Sequence, residues 1–249
     1  MSNVIKFTSA KLANTGKKGI LRPDEEGYYE IIVGGLNTFN SVGQYYTAEG
    51  VKELFSSSSA LMRRINNAAL KAEYGHPSRS PGMTDDDYIR RIITIDERNV
   101  CAAFKDISLD LEYGKNNPEL QNPSAIAILA KIKPTGPMGD YLKKSLDSAG
   151  ENVCFSIRAL TKDYYSGGKM IRVLNTIVTF DLVNEGGISF ASKLHSPAVE
   201  SFQDVIVTKR KIDTLAKHAD LVSTESSKAI ISEISNAFKP VATPLYTKW

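Results

Sequence analysis

Hydrophobic and polar positions along this 249-residue chain alternate mostly with the period of strands, and in only a few windows with that of helices. Tyr28-Tyr29-Glu30-Ile31-Ile32-Val33 predicts a strand closed by Gly34-Gly35. Thr47 to Phe55 opens on a capping-type Thr and places Val51, Leu54 and Phe55 at helical spacing. Serines 56–59 interrupt that helix, and the pattern resumes from Ala60 to Leu70 with Leu61, Ile65, Ala68 and Ala69 on one face. Ile89 to Ile95 and Asn99 to Ile107 alternate in a way that predicts a hairpin around Asp96-Glu97-Arg98. Ser124 to Lys133 is a continuous apolar run of strand length. Gly139 to Ala149 predicts a short amphipathic helix with Tyr141, Leu142 and Leu146 inward and Gly150 as its C-cap. Val153–Leu160 and Met170–Val183 predict two strands around a turn at Tyr164–Gly168, and Ile188 to Leu194 a further helix.

Beyond residue 196 the texture changes. Residues 203–208 are short and β-like, whereas Ile212–Val222 and Ser226–Phe238 are of helix length. The pattern therefore divides into a main domain over residues 1–195 and a partly helical extension over 196–249. No repeat is evident, and no apolar run reaches the roughly 18 residues of a membrane span. The first residues lack the long apolar core of a signal peptide.

Charge narrows the function classes. Thirty-one basic against 28 acidic residues leave a formal net charge of +3, too mild to argue for nucleic acid, and Lys209-Arg210-Lys211 reads as a solvated face. Cys101 and Cys154 lie in apolar runs without metal-ligand spacing, which predicts two buried free thiols in a reducing compartment. Asp85-Asp86-Asp87 lacks the glycine and glutamate offsets of a calcium loop. A soluble intracellular protein with no cofactor, no metal, no membrane and no nucleic-acid partner is expected.

One strand carries polar groups that need a reason. Val153-Cys154-Phe155-Ser156-Ile157-Arg158-Ala159-Leu160 is apolar except for Ser156 and Arg158, which period-2 alternation places on one face. A serine hydroxyl becomes a nucleophile only when a base takes its proton and a third group holds that base's tautomer. The chain has three histidines, His76, His195 and His218. His76 precedes Pro77, which pushes it toward extended geometry. Asp181 is a carboxylate in the apolar run Val178–Val183, and Glu73, close before His76, is its rival as the orienting acid. Taken singly, each has a plain structural reading: a buried serine, a turn histidine, a strand-end or ion-paired aspartate. Arg158 supports an oxyanion directly, through water or by orienting backbone N–H groups, or else it is a salt-bridged strand residue.

The ordered set says more than its members. His76-Pro77 follows an acidic and glycine-containing lead, Ala72-Glu73-Tyr74-Gly75. Then come paired strands, an apolar strand, Thr135-Gly136-Pro137-Met138-Gly139, a helix, the Ser156 strand, and Thr179-Phe180-Asp181-Leu182-Val183. Over about residues 70–195 this order resembles the T4-type prohead core serine proteases of tailed bacteriophages. Their pattern is similar to Gly-Glu-x-x-His-Pro, Thr-x-x-Gly near a short helix, Gly-x-Ser-x-Arg-Gly and Asp-Leu-Val. The acid before His-Pro is differently spaced here, and Cys154 and Ala159 stand where glycines flank the serine, which suggests a distant branch.

The resemblance implies His76 as general base, Ser156 as nucleophile and Asp181 as third member. It implies an α+β fold related to the herpesvirus maturational protease, a mostly antiparallel β-barrel wrapped by helices with a partly helical C-terminal extension. It further implies action inside the phage prohead, assembled in the bacterial host cytoplasm, on capsid, scaffold and internal core proteins. Cleavage would follow glutamate with a small or hydrophobic residue two positions earlier. Self-processing at Glu200, Glu225 or Glu233 and a homodimer or higher oligomer belong to the same expectation. The alternative is a catalytically inactive scaffold or capsid-assembly protein that has kept the protease fold. A small nucleic-acid-binding barrel is a third reading, which the mild charge argues against.

Overall fold

The longest apolar runs become the longest strands. The computed structural model describes residues 4–13, 21, 23–148, 150–185, 187–188, 205–208 and 230. Its first half holds β1 (Val4–Ala13), β2 (Tyr29–Leu36), β3 (Thr38–Phe39), β4 (Tyr45–Thr47), α1 (Val51–Leu54), α2 (Ala60–Asn66), β5 (Lys71–Glu73) and α3 (Asp85–Ile93). Then follow β6 (Val100–Asp110), α4 (Tyr113–Asn116), β7 (Ile126–Pro134), α5 (Gly139–Asp147), β8 (Cys154–Ser166), β9 (Lys169–Val183) and β10 (Val205–Thr208).

The strands form two sheets, one of six in the order β10-β1-β8-β9-β4-β3 and one of four in the order β2-β7-β6-β5. Among these ladders only β4 against β9 is parallel. The β8–β9 hairpin is the spine, paired from Cys154↔Val183 to Ser166↔Lys169. Its turn, Gly167-Gly168, has φ of 56° and 74°, the positive values that a two-residue connection between right-twisted strands requires. One face of the hairpin packs Phe155, Ile157, Ala159 and Phe180 into the core between the sheets, where the Phe180 ring lies 5.7 Å from that of Phe104 on β6. The other face carries Ser156, Arg158, Thr179 and Asp181, all with no solvent exposure. That polar face is covered by β5 and by the end of α3. Thr179 donates its hydroxyl proton to the Lys71 carbonyl, and Arg158 donates to the carbonyls of Ile92 and Thr94.

The expected strand at 89–95 is instead helical up to Ile93, as the C-terminal part of α3. Thr84 caps it, its side chain accepting from the Asp87 N–H at 3.2 Å, and Asp85, Asp86 and Asp87 fill the first turn, where the helix dipole favours acids. Tyr88, Ile89, Ile92 and Ile93 are its buried residues, one helical stripe that period-2 reading mistook for alternation. β6 therefore pairs with β5 and β7. The architecture is mixed α+β and sheet-rich as expected, with short helices, but the strands form two sheets joined at a seam rather than one uninterrupted barrel ladder. At that seam Tyr74 bridges Leu182 in parallel, and the Gly75 N–H donates to the Leu182 carbonyl at 2.7 Å.

Smaller expectations also change. β2 runs through Gly34 and Gly35, with a bulge between Ile32 and Gly34. α2 ends at Asn66. α5 buries Leu142 and Leu146 but leaves Tyr141 exposed, and Ser148, in extended conformation, is its C-cap in place of Gly150. Cys101 and Cys154 are buried free thiols. In the segment expected to be an extension, β10 pairs with β1 from Val4↔Thr208 to Phe7↔Val205 and so joins the six-stranded sheet, and Ile230 is buried. The two expected helices of that segment, the expected helix beyond Ile188, and Glu200, Glu225 and Glu233 lie outside the described residues. No helix among the described residues is long and apolar enough to cross a membrane.

Candidate active site

The site starts from strand register. Ser156 and Asp181 are direct partners in the antiparallel β8–β9 ladder, so their side chains leave the sheet on the same face as neighbours. Twenty-five residues of separation are thereby closed by one hairpin.

His76 arrives from the other sheet. β5 delivers Glu73 under the Asp181 carboxylate, the Glu73 N–H lying 3.3 Å from Asp181 Oδ1. Gly75 then turns the chain at a φ of 82°, anchored to the Leu182 carbonyl, and Pro77 follows. The imidazole lands between the two hairpin residues. Its Nδ1 is 2.8 Å from Asp181 Oδ2, and its Nε2 is hydrogen-bonded to Ser156 Oγ. Nδ1 facing a carboxylate carries the proton and donates it, which leaves Nε2 as acceptor for the serine hydroxyl. Ser156 and Asp181 are fully buried and the His76 side chain is 17% exposed, so solvent reaches the group through the imidazole.

Arg158 does not point at the space beside Ser156 Oγ. Its Nε donates to Asp181 Oδ2 at 2.8 Å and Nη2 to Oδ1 at 2.6 Å, a bidentate clamp on the carboxylate. Nη2 also lies 3.1 Å from Glu73 Oε1, and Nη1 donates to the Ile92 and Thr94 carbonyls at 3.3 and 3.2 Å. A guanidinium has five protons, and every nitrogen here is committed to protein oxygens. Of the readings open for Arg158, oxyanion support or a salt-bridged strand residue, its contacts match the second, a hold on the acid.

Glu73, the rival acid, faces away from the imidazole. Its carboxylate accepts from both terminal nitrogens of Arg91 on α3 and from the Asp96 N–H at 2.8 Å. Burial raises the proton affinity of Asp181, but the Arg158 charge and the His76 hydrogen bond outweigh it and hold the carboxyl below its ordinary value. Burial likewise works against the Arg158 cation, and Asp181 and Glu73 more than compensate. Burial pushes the Cys101 thiol up, next to this cluster, so it stays protonated.

The sequence model of the Peptidase S80 family matches residues 7–237. The chain belongs to the Peptidase S80 family. A relative from Pseudomonas phage phiKZ named capsid maturation protease is 36% identical over 210 residues, 83% of this chain and 75% of the relative. The solved structure of the bacteriophage T4 capsid assembly protease, gp21, is similar over 75% of this chain and 97% of that one, at 16% identity and a TM-score of 0.45. The resemblance to phage prohead proteases read from the sequence is borne out by the family and the relative, and the chain is a peptidase.

In this peptidase, sequence reasoning brought Ser156, His76, Asp181, Arg158 and Glu73 forward, and the fold gathers all five. His195 lies outside the described residues, as does His218. Arg91 was missed. Its only signal was the need of a buried Glu73 for a cation, and burial is invisible in sequence. A cavity of about 350 Å³ walled by Leu70, Ile93, Ile95, Val100, Pro137 and Ile230 includes none of the three hydrogen-bonded residues. Among the described residues no cluster of metal-binding side chains is present.

Proposed function

We propose that the chain is a serine endopeptidase of phage capsid maturation, in which Ser156 is the nucleophile, His76 the general base and Asp181 the orienting acid. The observation that carries this is the continuous hydrogen-bond relay from Asp181 Oδ2 through both ring nitrogens of His76 to Ser156 Oγ. Family membership and the name of the phage relative support the reaction class and the setting inside a prohead.

In this reading Ser156 Oγ bonds to the scissile carbonyl carbon as its proton passes to His76 Nε2. The imidazolium is stabilised by Asp181 and returns the proton to the leaving amine. Water then repeats the sequence in reverse roles and frees the acid product. Arg158 acts on Asp181 and leaves oxyanion stabilisation to backbone N–H groups. Because Ser156 is buried, a step that uncovers it precedes substrate binding. Capsid, scaffold and internal core proteins are the substrates in this reading. Cleavage follows glutamate with a small or hydrophobic residue two positions before, and self-processing falls at Glu200, Glu225 or Glu233. The more distant kinship with the herpesvirus maturational protease and a homo-oligomeric state belong to the same proposal.

The test is mass spectrometry of wild-type protein beside Ser156→Ala and His76→Ala, incubated with capsid and scaffold proteins. Both variants keep the circular dichroism of the wild type and lose cleavage, and a serine-directed phosphonate adds one mass increment at Ser156. Cleavage surviving in Ser156→Ala sinks the assignment. An intact wild-type C-terminus under conditions where substrate is cut removes the self-processing part alone.

A further inference from the structure

The relay does not end at Asp181. His76, Asp181, Arg158, Glu73 and Arg91 form a row in which each carboxylate lies between two cationic or protonatable groups. The contacts are His76 Nδ1 to Asp181 at 2.8 Å, Asp181 to Arg158 at 2.6 and 2.8 Å, Arg158 to Glu73 at 3.1 Å and Glu73 to Arg91 at 3.0 Å. The three inner members are completely buried, whereas Arg91 is 23% exposed at the end of α3. A single carboxylate could not serve the imidazolium well with a guanidinium clamped on both its oxygens, because the arginine would cancel the field that His76 feels. Glu73 draws on the same guanidinium from its far side and offsets it, and Arg91, one step further from His76, offsets Glu73, so that Asp181, Arg158, Glu73 and Arg91 together carry no net charge.

We propose that Glu73 and Arg91 are positioning residues of this peptidase, which set through Arg158 how strongly Asp181 holds the proton that His76 takes from the serine. The inference rests on the proposed triad and adds to it the far half of the row and an electrostatic rule. Removing Glu73 leaves one unbalanced positive charge behind Asp181, which disfavours the imidazolium. Removing the Arg91 charge leaves one unbalanced negative charge, which favours it. The two variants act in opposite directions. A residue that merely props up the fold has no reason to do so.

Other charged or titratable groups around His76 are accounted for. Ser156 and Asp181 face it from β8 and β9. From α3 and its flanks, Tyr88 donates to the Pro77 carbonyl and Arg79 pairs with Asp85 at 2.8 Å. The Asp96 carboxylate is taken by Arg98 at 3.0 and 2.9 Å, and the Cys101 thiol, its proton retained, lies behind Asp181. None of these replaces the charge of Glu73 or Arg91 when it is removed.

The experiment follows the His76 imidazole by NMR titration in full-length protein silenced by Ser156→Ala, with Glu73→Gln, Arg91→Gln or Arg91→Lys added. It is paired with pH profiles of kcat and KM for the same three substitutions in active protein. A unit charge at this depth is worth on the order of one pH unit. Glu73→Gln lowers the His76 midpoint and the acidic limb of kcat/KM by about that amount, Arg91→Gln raises both, and Arg91→Lys, which keeps the charge, leaves both close to wild type. kcat changes and KM stays within about two-fold, since Glu73 and Arg91 reach the serine only through Arg158, Asp181 and His76. Should Glu73→Gln fail to fold, because it leaves two guanidiniums, that of Arg158 fully buried, facing a single carboxylate, Arg91→Gln at its part-exposed position decides alone. An unmoved midpoint in Arg91→Gln, or shifts of the same sign in both variants, overturns the proposal. Because the NMR arm reads His76 without turnover, it separates failure of the row from failure of the triad, which shows as cleavage surviving in Ser156→Ala.

Discussion

At the scale of single residues, Asp181 is the position where structure and chemistry meet most tightly. It accepts from His76, from two nitrogens of Arg158 and from the Glu73 N–H, with no exposure to solvent. Asp181→Asn keeps the shape but removes the charge and presents an amide that cannot hold the Nδ1–H tautomer. We expect kcat to fall on the order of 10³–10⁴-fold with KM little changed, as orienting-acid amidation does in serine peptidases generally. Glu73→Gln costs less, and the larger loss identifies the orienting acid. Stability follows the same charge. The folded carboxyl titrates below the ordinary value of 3.8, so ionised Asp181 stabilises the fold fully above that value and loses its contribution as pH falls through the lower folded pKa. At neutral pH, Asp181→Asn takes from buried Arg158 one of its two carboxylate partners and costs about 3–5 kcal/mol. In urea titrations the gap between wild type and Asp181→Asn narrows below pH 3.8, and a gap independent of pH would refute this electrostatic account.

At the scale of elements, the peptidase depends on two short features that bring His76 and Arg91 to the hairpin. Gly75 holds a φ of 82° with nothing within 4 Å of where a Cβ would stand. Gly75→Ala therefore meets only backbone strain, about 1–2 kcal/mol. Any relaxation tilts the following imidazole, so activity is expected to fall by much more than the melting temperature suggests. α3 is the second feature. Its cap is local, Thr84 accepting from Asp87 N–H, and Thr84→Ala costs about 1 kcal/mol by urea denaturation. Fraying from the capped end leaves the last turn, with Arg91, in place, so kcat in Thr84→Ala stays close to wild type. The sequence carried this helix in plain view: a threonine, three aspartates and two arginines in the order that a helix dipole favours. Alternation of isoleucines outweighed that signal because Ile89, Ile93 and Ile95 fall on one strand face while Ile89, Ile92 and Ile93 fall on one helical stripe, and so short a window does not separate the two.

At the scale of the whole molecule, the two sheets share one core, and the face that carries the proposed triad is the reverse side of the strands that build it. Phe180 lies against Phe104 of the opposite sheet while its neighbour Asp181 faces the site. Phe180→Ala removes a fully buried ring and is expected to cost about 3–5 kcal/mol by denaturation in the Ser156→Ala background. Because the strand would shift at the very residue pair Ser156–Asp181, loss of phosphonate labelling in otherwise active protein should accompany a loss of stability. Two sheets stitched at Tyr74–Leu182 place His76 by tertiary contact alone, since no ladder of β5 with β8 exists among the described residues.

Much of the site was legible in the sequence for local reasons. Strand alternation put Ser156 and Arg158 on one face, proline constrained His76, and the polar interruptions in apolar strands marked Ser156, Arg158 and Asp181 as residues needing partners. Asp181 was preferred to Glu73 as the acid only through the order of motifs, because both are carboxylates near the right segments and sequence spacing carries no information about which side chain meets an imidazole. That choice was made by the β8–β9 register, set by the Gly167-Gly168 turn and the alternation on both sides of it, together with the seam that lays β5 beside β9. The same packing drew Arg158 onto the acid and Arg91 onto Glu73, since carboxylates buried without cations would be too costly to keep. Residue types and faces are local properties and were written in the chain; the pairing of charges across elements is a property of packing, and only the tertiary structure decided it.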